Sequence, residues 1–287
     1  MDHDSTTDNL SSLGELKHVS STRLTPSLSL HTFSVQANND FRESFRPGQH
    51  LTLQFPSDLD PISGSQTLSH QDRRLSFTPY HAAYAAEGGI ETISLIARDG
   101  RVTGLLGLPR PNGPMTAKII EVAGGIPPET PGYEHRGLYI AGGTGIAPFI
   151  AMATDKTRGI ILEVRDTKPS LICSIRGEDF QAIEYLWNHQ MLLPQDWNVL
   201  RIYITPGNES GGFTAGKSRT WWYQRFKDLA HDDHDLEIFR LGRMEKEELS
   251  NLVGDTEGQI VFCGSKQLEW QVKMWLLGKR IVHSIER

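Results

Sequence analysis

Cysteine is almost missing from this chain of 287 residues: Cys173 and Cys263 are the only two. No Cys-x-x-Cys pair occurs, so an iron–sulfur cluster, a zinc site and a disulfide framework all lack ligands. Any redox chemistry would need an organic cofactor. Long apolar runs are missing too; none reaches the ~18 residues that a membrane helix requires. The opening stretch MDHDSTTDNLSS has neither a basic flank nor an apolar core, so no secretion signal is expected and the cytosol is the expected compartment. Basic excess is absent, with a formal charge of −6, which argues against nucleic acid as a partner. What remains is an ordinary globular composition, 38% hydrophobic and 22% charged, long enough for roughly two domains.

The chain changes texture along its length. Residues 1–14 are polar and too poor in apolar groups to offset the entropy of ordering them, so they read as a disordered tail. Between residues 15 and 130, short strand-like runs (LSLHTFSVQ, HLTLQF, RLSFT, TISLIAR, TAKIIEV) alternate with turn sequences (NND, RPG, EGG, RDG, RPNGP). Closely spaced strands with little helical periodicity predict a small antiparallel β-barrel. After GGIPPETPG, the apolar runs GLYIAGG, LICSIRG, NVLRIYITPG and QIVFCGS alternate with helix-like segments such as GEDFQAIEYLWNHQ. That alternation predicts an α/β domain with a parallel sheet over residues 131–287.

Gly143-Thr144-Gly145-Ile146-Ala147-Pro148 follows an apolar run and opens a helical pattern. Glycines there let the backbone approach a phosphate, and the N–H groups of a helix N-terminus favour an anion. Pro148 costs the helix nothing, since a first-turn N–H has no intrahelical partner. The same glycines would equally serve a tightly packed strand-to-helix turn with no ligand. Glu163 stands about where a ribose-binding acid belongs, but GIILEV follows the turn too closely to leave room for a crossover helix. LICSIRG leaves that room and puts Ser174 and Arg176 at a strand's carboxyl end, where ligands of open α/β sheets bind.

In order along the chain, Arg73-Arg74-Leu75-Ser76 resembles an Arg-x-Tyr-Ser flavin motif, and Gly100-Arg101-Val102-Thr103 a flavin-diphosphate turn. Gly142 to Pro148 resembles a nicotinamide-nucleotide turn, and Cys263-Gly264-Ser265 a late Cys-Gly-Pro. Together they resemble the ferredoxin–NADP⁺ reductase superfamily, in single-chain flavin reductase form; RPGQHL and the LGRM segment at Gly242-Arg243 add to the likeness. The resemblance implies FAD on the barrel and NAD(P)H on the α/β domain. Arg73, Leu75, Ser76, Phe77, Thr78 and Gly100 to Thr103 would bind flavin. Gly142, Gly143, Thr144, Gly145, Ile146, Ser174, Arg176, Cys263 and Gly264 would bind the nucleotide. Ser76, Thr144, Cys263 and Glu286 would surround the reacting rings. Cys263 is also compatible with a small buried hydrophobe, and Arg73 and Arg74 with a solvated basic pair.

Several positions depart from the family pattern. Leu75 replaces an aromatic, Ser265 replaces a proline in a way that would alter only turn stiffness, and HSIER ends the chain where many relatives carry an aromatic. The expected activity is hydride transfer from NAD(P)H to flavin, with electrons passed to a separate acceptor protein or small molecule, by a monomer. The alternative is a fold relative that keeps flavin or nucleotide for a non-redox or substrate-oxidising step in small-molecule metabolism. His231 to Asp235 (HDDHD) has metal-ligand residue types but reads as a solvated loop, so no metal is expected. Trp221, Trp222 and Tyr223 are compatible with contact to a substrate or partner but read as core. Lys217, Ser218, Arg219 and Tyr223 loosely resemble a 2′-phosphate grip. His50 and His81 lie near the flavin motifs and read as structural histidines.

Overall fold

A computed structural model describes residues 12–37, 41, 45–59, 68–85, 89–108, 110, 113–125, 137–154, 168–205, 217–230, 233–254, 259–278 and 282–285. Glu286, Glu163, His231, Asp232 and the PPETPG boundary lie outside them.

Seven antiparallel strands form the first unit: β1 (Gly14–Thr25), β2 (Leu28–Ala37), β3 (His50–Gln54), β4 (Arg74–Phe77), β5 (Pro79–Tyr84), β6 (Ile90–Arg98) and β7 (Thr116–Ala123). Their order across the sheet is β4-β3-β7-β1-β2-β6-β5. Only Thr78 separates β4 from β5, although they end the sheet on opposite sides. The sheet must therefore curl until its edges meet, which makes it barrel-like without a closing ladder. Inward positions of alternating strands fill the interior: Leu16, Phe33, Leu51, Leu53, Ile93, Ala117 and Ile119 are fully or almost fully buried.

β1 and β5 go unnoticed in a pattern search for good reasons. β1 is largely polar and exposed in its middle, yet it begins at Gly14 and buries Leu16 between β2 and β7. Gly14, expected in the polar tail, is a strand residue instead, since pairing on both sides compensates for the lack of apolar residues. β5 starts at a proline, tolerated at a first strand position.

The second unit is a parallel sheet ordered β11-β10-β9-β8-β12-β13. It comprises β8 (Leu138–Gly142), β9 (Ser170–Arg176), β10 (Leu200–Thr205), β11 (Phe239–Leu241), β12 (Ile260–Cys263) and β13 (Val282–Ser284). Helices α1 (Ala147–Thr154), α2 (Phe180–Asn188), α3 (Arg219–Leu229), α4 (Asp233–Leu236), α5 (Lys246–Gly254) and α6 (Lys266–Trp275) accompany it. Both faces are covered: Phe149, Ile175, Phe180 and Trp222 belong to one core, and Ile140, Ile172, Leu249, Phe262 and Val272 to the other. The short edge strands β11 and β13 are too brief to leave a sequence pattern.

The first of those cores continues into the barrel. Leu28, Leu30, Tyr80 and Ile96 of the antiparallel sheet pack in the same cluster as Phe149, Phe180 and Ile183. Burial and the neighbouring Tyr185 push the Tyr80 phenol far up, so it stays neutral. Among the described residues no helix is long and apolar enough to cross a membrane.

Candidate functional site

β8 lies between β9 and β12, so the chain reverses its direction of sheet growth there, leaving a crevice beyond the strand ends. Gly142 closes β8, and a Cβ on it would stand 2.9 Å from Leu268 Cδ2 and 3.4 Å from Gly264 Cα. A Cβ on Gly264 would stand 2.7 Å from Phe262 Cζ and 3.1 Å from Gly142 Cα. The glycines of the two motifs therefore pack against each other. Gly143 follows at φ +57°, a left-handed conformation that suits glycine. Residues Gly143–Ile146 form a short 3₁₀ turn that leads into α1.

Above this crevice lies a cavity of about 460 Å³. Gly142, Gly143 and Thr144 line it together with Ser174 and Arg176 from the end of β9, Thr205 from the end of β10, and Arg243. Gln267, Gln271 and Trp275 project into it from one face of α6. Arg176 is exposed and bonds Glu178 at 3.3 Å. Of the expected nucleotide residues, Gly145 and Ile146 are buried beneath the turn. Cys263 is fully buried in the core and Gly264 packs on Gly142, so neither lines the cavity.

A smaller cavity of about 170 Å³ lies between the two sheets. His50 from β3, Ser76, Phe77 and Thr78 from β4 and its end, Ile96, Ala97 and Arg98 from β6, and Thr144 from the glycine turn line it. His50 is 8% exposed, and its buried Nδ1 has no hydrogen-bond partner among the described residues. His81 lines a different crevice, with Phe45, Ala151 and Thr154, and burial lowers its pKa. Leu75 points toward the barrel interior beside Leu53 and packs on its core, away from this cavity.

Arg98 and Thr144 line both cavities. Arg98 pairs with Asp179, which follows β9 and is 3% exposed. Ser27 Oγ donates to the other Asp179 oxygen at 3.3 Å, and Arg98 Nη1 donates to Ser27 Oγ at 3.1 Å. None of these three was legible as a site residue, because each joins its partners only through the packing of the two sheets.

The Gly100–Thr103 turn follows directly on Arg98. Its Thr103 hydroxyl is committed internally: it accepts from Gly100 N–H at 2.7 Å and donates to Arg98 C=O at 2.7 Å. The backbone N–H groups of Arg101, Val102 and Thr103 make no hydrogen bond among the described residues. Arg73 Nη1 donates to Leu68 C=O at 2.9 Å, and Arg101 stands 3.6 Å from Asp72. Ser69 hydrogen bonds, backbone first, hold the Asp72 carboxyl below its usual range.

Other expectations resolve by placement. Ser265 accepts from Leu268 N–H at 3.3 Å and so caps α6, a role beyond turn stiffness. Ser218 caps α3, and Lys217 Nζ lies 5.2 Å from the Trp221 ring; neither lines the cavity above β8. Trp222 is core, at 1% exposed. Cys173 is buried in β9, and burial pushes its thiol up to about 12. No cluster of three metal-ligating side chains occurs among the described residues.

No family model matches the sequence, and no curated protein aligns with it. Solved structures do match. The flavohaem-like FAD/NAD-binding domain of nitric oxide dioxygenase from Vibrio cholerae superposes with TM-score 0.59 at 10% identity, covering 95% of this chain and 98% of that one. A mutant ferredoxin–NADP⁺ reductase from Plasmodium falciparum, solved with 2′P-AMP, gives 0.53 at 15% identity, covering 96% and 99%. The chain has the ferredoxin–NADP⁺ reductase fold. An Amycolatopsis cytochrome P450 reductase also shares it, with TM-score 0.53 at 15% identity over 95% of this chain and 69% of that one. The expected pairing of an antiparallel barrel with a parallel α/β sheet is thus the architecture of this chain, the barrel being open rather than closed.

Proposed function

We propose that the protein is a flavin-dependent oxidoreductase that takes hydride from NAD(P)H and passes electrons to a separate acceptor. The observation that carries this reading is the shared wall: Arg98 and Thr144 line both the inter-sheet cavity and the crevice above β8. Two ligands placed there would meet at those side chains, and positioning is the protein's main contribution to such a transfer.

The residues present fit a flavin. His50 offers a buried ring nitrogen without a partner, Ser76 and Thr78 offer hydroxyls, and Phe77 and Ile96 offer apolar contact. The free N–H groups of Arg101 to Thr103, with Arg101 and Arg73, would hold the diphosphate. Bound flavin would supply a ring that accepts hydride. Ser174, Arg176, Thr205 and Arg243 would hold the phosphates and ribose of the nucleotide, and Gly142 adds no side chain to its floor. Arg98 and Thr144 would orient the two ligands and help exclude water between them.

A second reading is a flavin- or nucleotide-binding relative with a non-redox or substrate-oxidising role. Two observations favour it: Thr103 has no hydroxyl proton left for a phosphate, and Leu75 turns into the barrel. Purification with flavin quantification separates binding from its absence. A protein without flavin affinity contradicts the first reading and leaves of the second only its nucleotide-binding form.

A further inference from the structure

The outer face of β3 and β4 carries a chain of side-chain hydrogen bonds that ends on a carboxylate. Ser76 Oγ, in the inter-sheet cavity wall, is 3.0 Å from Thr52 Oγ1, and Thr52 Oγ1 donates to Glu121 Oε2 on β7 at a long 3.4 Å. Thr52 is 5% exposed, so its hydroxyl bonds mainly within the protein. Glu121 reaches the surface, with its side chain 53% exposed and Arg74 3.7 Å away.

The direction of the chain follows from proton counting. A carboxylate can only accept, and a threonine hydroxyl has one proton. If Thr52 gives that proton to Glu121, it can only accept from Ser76. Ser76 then has no proton left for the cavity and turns lone pairs toward it. We infer that the Glu121–Thr52–Ser76 chain makes Ser76 a hydrogen-bond acceptor toward the cavity, so the site prefers a bound ring whose nitrogen carries a proton. The inference rests on the flavin reading, with Ser76 facing N5, the ring nitrogen that would carry a proton in the reduced form and not in the oxidised one. To meet the oxidised ring's lone pair, Ser76 would have to abandon Thr52, losing one hydrogen bond.

Such a bond corresponds to roughly a tenfold preference for the reduced ring, about 30 mV for a two-electron couple. The test is the midpoint potential of protein-bound flavin, measured by dye equilibration in the wild type, Thr52→Val, Glu121→Ala and the double variant. Glu121 is largely exposed, so its variant tests the chain even if Thr52→Val folds poorly. Each single substitution frees the Ser76 proton and should lower the potential by about the same amount, with no further loss in the double variant. Flavin retained at an unchanged potential in Glu121→Ala overturns the inference while leaving the flavin reading intact. A wild type that binds no flavin overturns the reading and the inference together.

Discussion

Arg98, the last residue of β6, forms an ion pair across the sheet interface with Asp179, whose carboxylate is 3% exposed. The pair ties the barrel to the parallel sheet at the wall between the two cavities. Removing Arg98 would leave a buried carboxylate with Ser27 as its remaining donor, whereas removing the Asp179 charge leaves a half-exposed guanidinium that water can solvate. Arg98→Ala should therefore cost about 2 kcal/mol in urea unfolding and exceed the cost of Asp179→Asn. Equal costs would contradict the stranded-charge argument.

Packing at the crevice predicts a second asymmetry. Gly264→Ala puts a methyl 2.7 Å from Phe262 Cζ and against the Gly142 backbone, so the strand ends must separate. A loss of about 1–3 kcal/mol is expected, together with weaker nucleotide binding. Gly254→Ala has open space and serves as the control. If the two substitutions behave alike in thermal unfolding and nucleotide titration, the crevice is not set by this contact.

Helix α6 supplies a third test. Ser265→Ala removes the N-cap acceptor for Leu268 N–H and should cost about 1 kcal/mol. Ser265→Pro, which restores the residue usual in the family, loses the same acceptor and should not recover that stability in chemical denaturation.

His31 gives the fold a pH dependence. It is 2% exposed, and burial, with His18 nearby, lowers its pKa to about 4 from an ordinary 6.5. Ser21 Oγ lies 2.7 Å from His31 Nδ1 and 2.8 Å from His18 Nε2. Between those values the unfolded chain binds the proton that the folded ring refuses. The stabilisation is therefore complete above about 6.5 and is lost as pH falls toward 4, by about 3 kcal/mol. Urea unfolding at pH 7 and pH 5 should show the loss, and His31→Gln should flatten it. A slope unchanged by that substitution would assign the pH dependence elsewhere.

Arg243 and Arg176 place two cations at the nucleotide cavity, with Ser174 and Thr205 hydroxyls between strand ends. A nucleotide carrying an extra phosphate should gain most from them. Arg243→Ala should weaken NADPH binding by roughly fivefold to tenfold, with NADH much less affected, because exposed charge contacts contribute about 1 kcal/mol. Equal weakening of both would place Arg243 away from the distinguishing phosphate.

The parts of this fold that were legible in sequence are those with strong local patterns. β8, β9, β10 and β12 are apolar runs ending in or near glycine, and β2, β3, β6 and β7 alternate in hydrophobicity. Four motifs in order, at Arg73–Ser76, Gly100–Thr103, Gly142–Pro148 and Cys263–Ser265, carried the family resemblance, although the solved structures that share the fold are only 10–15% identical. Long-range pairs were not legible. Thr52, Glu121, Arg98 and Asp179 look like ordinary strand or turn residues until the sheets bring them together. Cys263 is the reverse case: a motif position is fully enclosed, because β12 is buried on both faces, as its alternative reading as a small buried hydrophobe allows.

The central claim is that one side chain wall joins a flavin site to a nicotinamide-nucleotide site. Anaerobic titration of the flavin-loaded protein with NADPH and NADH, following flavin absorbance, tests it most directly. The account predicts bleaching by stoichiometric reduced nucleotide and a slower reaction in Arg98→Ala. Flavin that remains fully oxidised in the presence of both nucleotides would contradict it.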